Sequence, residues 1–173
     1  MSNHKNHITM TYNSTYSKQL MFSTAVFSVL FISIIAILAY RLPEMRQASY
    51  AFYTSMFAIL VLCFVLLHGF CFQIRNVEYN DKKLTVKRLI GEVNIPLDDI
   101  QSIGRKKSLF RDMRIFGIGG LFGYIGYFRG GDCGNYTAYA NNGDNAFYIK
   151  TKSGKCYVAS CDDVDSLIQK LSK

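Results

Sequence analysis

Histidine is the commonest general base and metal ligand, and this chain has three: His4, His7 and His68. None lies beyond residue 72, so no Cys–His or Ser–His nucleophile pair can be built in the C-terminal part. No nucleophile-elbow, zinc-protease or phosphate-loop lysine motif occurs. The one dense carboxylate group, Asp162, Asp163 and Asp165, suits the start of a helix, where the backbone dipole favours negative charge. No catalytic residue, metal ligand set or cofactor is therefore expected, and the chain is not read as an enzyme. Two other groupings stand out. Gly117, Gly119, Gly120, Gly123 and Gly126 invite a nucleotide-loop reading, but their spacing is not the dinucleotide fingerprint and no βαβ unit surrounds them. Arg105, Lys106, Lys107, Arg111 and Arg114 put five cations in ten residues against one acid, Asp112. Held near an anionic leaflet, each such cation gains about 1 kcal/mol. The cluster is thus a candidate contact for anionic lipid or for a partner.

The elements around these residues come from an uneven charge distribution. Charged residues make up 18% of the 173, against ~25% in soluble proteins. Residues 20–40 and 50–72 contain no Lys, Arg, Asp or Glu. As helices they span roughly 31 and 34 Å, the thickness of a hydrocarbon core. Aromatic residues near their ends (Tyr16, Phe22 and Tyr40; Tyr50, Tyr53, Phe70 and Phe72) suit the membrane interface. The first run is too long for a cleaved signal and lacks a small-x-small site, so it is expected to stay as an anchor.

Only residues 41–49 join the runs, which makes an antiparallel transmembrane hairpin with both chain ends on one side. The loop carries Arg41 and Arg46; the opposite side carries Lys18, Arg75, Lys82, Lys83, Lys87 and Arg88. This excess places the tail, residues 1–19, and the C-terminal domain, residues 73–173, in the cytoplasm, with the hairpin a multi-pass anchor in the plasma (inner) membrane. Cys133, Cys156 and Cys161 are odd in number and lack Cys-x-x-Cys spacing, which fits reduced thiols there.

After residue 73 the period becomes two. Arg75, Val77 and Tyr79 form one strand face; Leu84, Val86 and Ile90 form another; Val93 and Ile95 a third. Later runs at 136–139, 147–150 and 156–159 are separated by turn residues. Short strands at this spacing argue an antiparallel sandwich or partly open barrel. The glycine-rich run fits a bent strand pair, where glycine permits bulges and close backbone approach; the sharper alternative is an apolar loop dipping into the membrane surface. At the end, Val164, Leu167, Ile168 and Leu171 mark one helix stripe over 162–172, with Ser160 or Asp162 as the cap.

The hairpin followed by 84–90 and Ile95-Pro96-Leu97-Asp98-Asp99-Ile100-Gln101-Ser102-Ile103 resembles the bacterial pleckstrin-homology-like (PH-like) membrane proteins. The run Arg114-Ile115-Phe116-Gly117-Ile118-Gly119-Gly120-Leu121-Phe122-Gly123-Tyr124-Ile125-Gly126 carries the resemblance more specifically, as does Tyr136-Thr137-Ala138-Tyr139-Ala140 before a tyrosine–valine strand. The resemblance covers residues 73–173 and implies a seven-stranded, strongly bent β structure with a C-terminal helix. Cys161 departs from it, standing where proline follows the serine. The fold class is then α+β: a two-helix membrane hairpin and a mainly antiparallel PH-like barrel or sandwich. Inositide recognition needs basic residues alternating on the second strand, and Val86 interrupts that pattern.

The function expected is a non-enzymatic, membrane-anchored interaction module binding a protein partner, the anionic membrane surface, or both. The alternative is a small subunit of a transport or signalling assembly. Small-residue pairs at Thr24/Ser28 and Ala51/Ser55 would allow homo-oligomers. The domain's modest positive charge, with no recognition helix, gives no reason to expect a nucleic-acid partner.

Overall fold

The computed structural model describes residues 9–47, 49–107, 109 and 111–171. A short strand, β1 (Met10–Asn13), precedes helix α1 (Lys18–Arg41). Ser17 caps α1: its backbone is extended and its hydroxyl accepts the Leu20 N–H. A 3-10 turn, Glu44–Gln47, leads into α2 (Ser49–Cys71). Both helices are apolar all round, a pattern that belongs to a buried core or a membrane span. Only 6% of each span is buried, so the core alternative fails, and both are long and apolar enough to cross a bilayer.

The β strands follow. They are β2 (Ile74–Tyr79), β3 (Lys83–Arg88), β4 (Glu92–Pro96), β5 (Ile100–Arg105), β6 (Met113–Gly119), β7 (Tyr124–Gly130), β8 (Gly134–Ala140), β9 (Ala146–Thr151) and β10 (Cys156–Ser160). Helix α3 (Val164–Leu171) ends the described chain. One sheet runs β1-β2-β3-β4 and the other β5-β9-β10-β8-β7-β6. All neighbours are antiparallel except β10 and β8. The sheets do not close into a barrel; they form an open sandwich. Ile74, Val77, Leu84, Val86 and Ile95 of the first sheet meet Phe147, Ile149 and Ala159 of the second, and Val164 and Leu167 of α3 seal the end. A smaller core holds Leu109, Phe128, Tyr136 and Val158.

Several expectations need correction. Ten strands are present among the described residues, not seven: the N-terminal tail supplies β1 and the domain itself holds nine, with the 3-10 turn Leu97–Asp99 separating β4 from β5. A register shift between Ile74 and Asn76 rotates Arg75 outward, so Ile74 and Val77 share the buried face. Ile90 lies past the end of β3 and is exposed; its N–H donates to the Cys71 carbonyl at the base of α2. Asp163 caps α3, accepting the Ser166 N–H. Ser160 is instead buried, bonded to the Ser14 hydroxyl at 2.9 Å, and it accepts the Asn141 N–H. Asn141, fully buried, donates to the carbonyls of Ile74 and Ser14. These bonds join the tail to both sheets.

Candidate functional site

The five candidate glycines build the β6–β7 hairpin. Gly117 and Gly126 sit directly opposite each other with φ of +123° and +134°. A Cβ on either would overlap a carbonyl oxygen of the facing strand, of Ile125 or of Phe116. Only glycine permits that approach, so the segment is the bent strand pair expected. Gly126→Ala is expected to cost about 3 kcal/mol from backbone strain and the clash, read as a lowered thermal midpoint of the purified protein. Gly119 ends β6, and Gly120 and Gly123 bound the turn, closed by the Gly120 N–H on the Gly123 carbonyl.

The tip of this hairpin is held between the apolar helices. Ser23 of α1 donates to the Gly120 carbonyl at 2.7 Å. Thr24 accepts the Phe122 N–H at 3.0 Å. The Tyr16 hydroxyl reaches Gln73 and the Phe122 carbonyl. Phe122 has φ 57°, the only non-glycine positive φ among the described residues, a strained state that surrounding contacts must enforce. Its ring packs edge-on against Phe70 of α2, 6.1 Å between centroids. Gly69 makes room, since a Cβ there would lie 2.7 Å from the Phe122 ring. The contacts are made by ordinary small and aromatic residues at the helix ends, which carry no motif in the sequence. Thr24 is thereby occupied within the chain, as is Ser55, whose hydroxyl contacts the Met45 sulfur at 3.5 Å.

The basic cluster divides. Lys106 is not a surface cation: it is 3% exposed. Its Nζ lies 2.8 Å from Asp112 and 2.9 Å from Asp132, above the Tyr136 ring. Tyr136 donates to the same Asp112 oxygen at 2.6 Å. Burial lowers the Lys106 pKa, but the hydrogen bonds and charges of the two carboxylates outweigh it and raise the net value. The hydrogen bond from Lys106 holds Asp132 below the ordinary carboxylate range. Burial, then the bond to Asp112, raises Tyr136. Nearby, the contact between Cys133 and Cys156 lowers the first thiol and raises the second, while burial pushes Cys161 up to about 12. Arg105 is exposed and pairs with Asp165 at 3.5 Å. Lys107, Arg111 and Arg114 are exposed.

Arg114 lies on β6 beside a groove of about 450 Å³. One wall is Phe27 and Phe31 of α1 and Val65 of α2; the other is residues 114–121. Met113, Ile115 and Phe116 of β6 are 60%, 50% and 79% exposed. Among the described residues β6 pairs only with β7, so its other edge offers free main-chain groups. The arrangement can receive something with an apolar body and an anionic or hydrogen-bonding end. His68, stacked on Phe72 at 4.5 Å, lies on α2 and is not among the groove's lining residues.

A family model described as a bacterial PH domain matches residues 75–173. Neither a curated protein nor a solved structure matches the chain.

Proposed function

Since the chain belongs to the bacterial PH domain family, we propose that it is a non-enzymatic interaction module anchored in the plasma (inner) membrane by its helical hairpin. The tail and the domain occupy the cytoplasmic side, in keeping with the excess of Lys and Arg around Lys18, Arg75 and Lys82. The domain binds a protein partner while one face rests on the bilayer. The observation that carries this reading is the clamp of residues 120–122 between α1 and α2. A merely tethered domain would need no such contact; a clamped one keeps a fixed attitude, with β6–β7 toward the membrane. The edge strand of the first sheet, β4, with Glu92 and Pro96 exposed, offers a surface for a partner.

The test uses the full chain. It is expected to stay in the membrane pellet after an alkaline wash. A C-terminal tag should be digested by protease only when the cytoplasmic face is outward. Gentle-detergent purification should recover a specific protein that residues 1–72 alone do not retain. Release by the alkaline wash would end the anchoring reading, and loss of any specific co-purifying protein would end the partner reading.

A further inference from the structure

The groove beside β6 has a definite chemistry. Its walls are aromatic and aliphatic, and both helices contribute, so its surface is continuous with the exposed flanks of α1 and α2. If those helices cross a bilayer, whatever fills the groove comes from the lipid phase.

Depth narrows the occupant. Phe27 lies nine residues beyond Lys18, about 14 Å along the helix, and its ring leans back toward the helix start. Val65 lies six residues before Cys71, about 9 Å from that end. Phe31, thirteen residues beyond Lys18, lies about 20 Å along the helix, so the groove runs from the headgroup layer well into the acyl chains. The free edge of β6 adds a constraint. Its main-chain groups would be left unsatisfied in pure hydrocarbon, at several kcal/mol each, whereas ester and phosphate oxygens can accept its N–H groups.

Charge selects the headgroup. Arg105 has Asp165 as a partner and Lys106 has Asp112 and Asp132, but no carboxylate pairs with Arg114 among the described residues. Its guanidinium lies along Gly119 beside the Tyr124 ring, and the residue lines the groove wall. Guanidinium binds phosphate through paired hydrogen bonds. Lys107 and Arg111, exposed on the preceding loop, add to the same positive field. A second copy pairing edge to edge would satisfy the β6 backbone but bring two cationic edges together.

Resting on the membrane-anchored reading above, we propose that this groove binds one anionic phospholipid, with an acyl chain along Phe27, Phe31 and Val65 and the phosphate on Arg114.

The test is native mass spectrometry of the full chain in non-ionic detergent, titrated with dioleoyl phosphatidylglycerol, dioleoyl phosphatidylcholine or glycerol 3-phosphate. A single phosphatidylglycerol adduct is expected, about tenfold tighter than the phosphatidylcholine adduct, with no adduct from glycerol 3-phosphate. Arg114→Gln should bring phosphatidylglycerol down to the phosphatidylcholine level; Arg105→Gln should change it less than twofold. Equal binding of the two lipids, equal binding of the water-soluble phosphate, an unchanged Arg114→Gln variant, or a lipid-independent dimer in place of the adduct would each overturn the proposal. A protein that resists the alkaline wash yet shows no lipid preference refutes only the groove. A protein released by that wash refutes the anchoring reading itself.

Discussion

Removing Met10–Asn13 together with everything before it is expected to unfold most of the domain, though the cut lies more than sixty residues upstream of the first domain strand. β1 pairs with β2 from Met10 opposite Tyr79 to Asn13 opposite Asn76. Its end is tied further by the Asp162 N–H on the Asn13 carbonyl at 2.8 Å. Tyr12 packs against the larger core and lies under Lys170. With a net worth of about 1 kcal/mol for each hydrogen bond and a partly buried tyrosine added, the loss is on the order of 5 kcal/mol. Domains of this size have total stabilities of about 5–15 kcal/mol. The truncated chain should therefore lose protection of the β2 amides in hydrogen exchange and show a broad, early thermal transition. Tyr12→Ala alone should lower stability by about 2 kcal/mol. A truncated chain with native exchange protection would show that β1 is an accessory.

The second large effect is expected at Lys106. Lys106→Met keeps the length of the side chain and removes its charge, leaving Asp112 buried without its cation. Breaking one partner of a buried pair costs about 3–5 kcal/mol. The lower end, about 3 kcal/mol, applies here because Asp132 is one-third exposed and water can replace its partner. The pH dependence has a definite sign. Asp132 is held below its unfolded value, so its contribution is present above about pH 4 and is lost as pH falls through the folded value. Lys106 is raised, so its contribution is present below about pH 10 and is lost at higher pH. The gap between wild type and variant in denaturant midpoint should be widest from about pH 6 to 9 and narrow on acidification below about pH 4. An unchanged gap across that range would show that the pair contributes no pH-dependent stability.

The difference between Lys106 and its neighbour Lys107 marks where the sequence stops being legible. Both are lysines in one basic run. One is buried because Asp132, 26 residues away, reaches it, and no local pattern records that contact. The helices could be read because two charge-free runs of more than twenty residues show in composition alone. The α3 stripe was equally open: Val164 and Leu167 are buried, and Ile168 and Leu171 pack on the same core. The glycine run could be read as a bent strand pair because paired positive-φ glycines have few other uses. That its tip docks between the helices could not, because Ser23, Thr24 and Gly69 are common residues in membrane segments. β1 escaped notice for a simpler reason: four residues cannot establish a period of two. The parallel pairing of β10 with β8 was hidden because β9 follows β8 in the chain yet lies on the far side of β10.

The separation of β1 from β2 by the two helices also bears on how the protein is made. The edge strand of the first sheet leaves the ribosome before either helix, and the strand it must join emerges after both. The sheet can be completed only when the two ends of the helical hairpin have come together. A chain in which the hairpin failed to form would hold β1 and β2 apart and leave the β2 edge open. Completion of the first sheet is thus a test of hairpin formation, and a molecule that fails it presents an unpaired strand edge open to pairing with another chain.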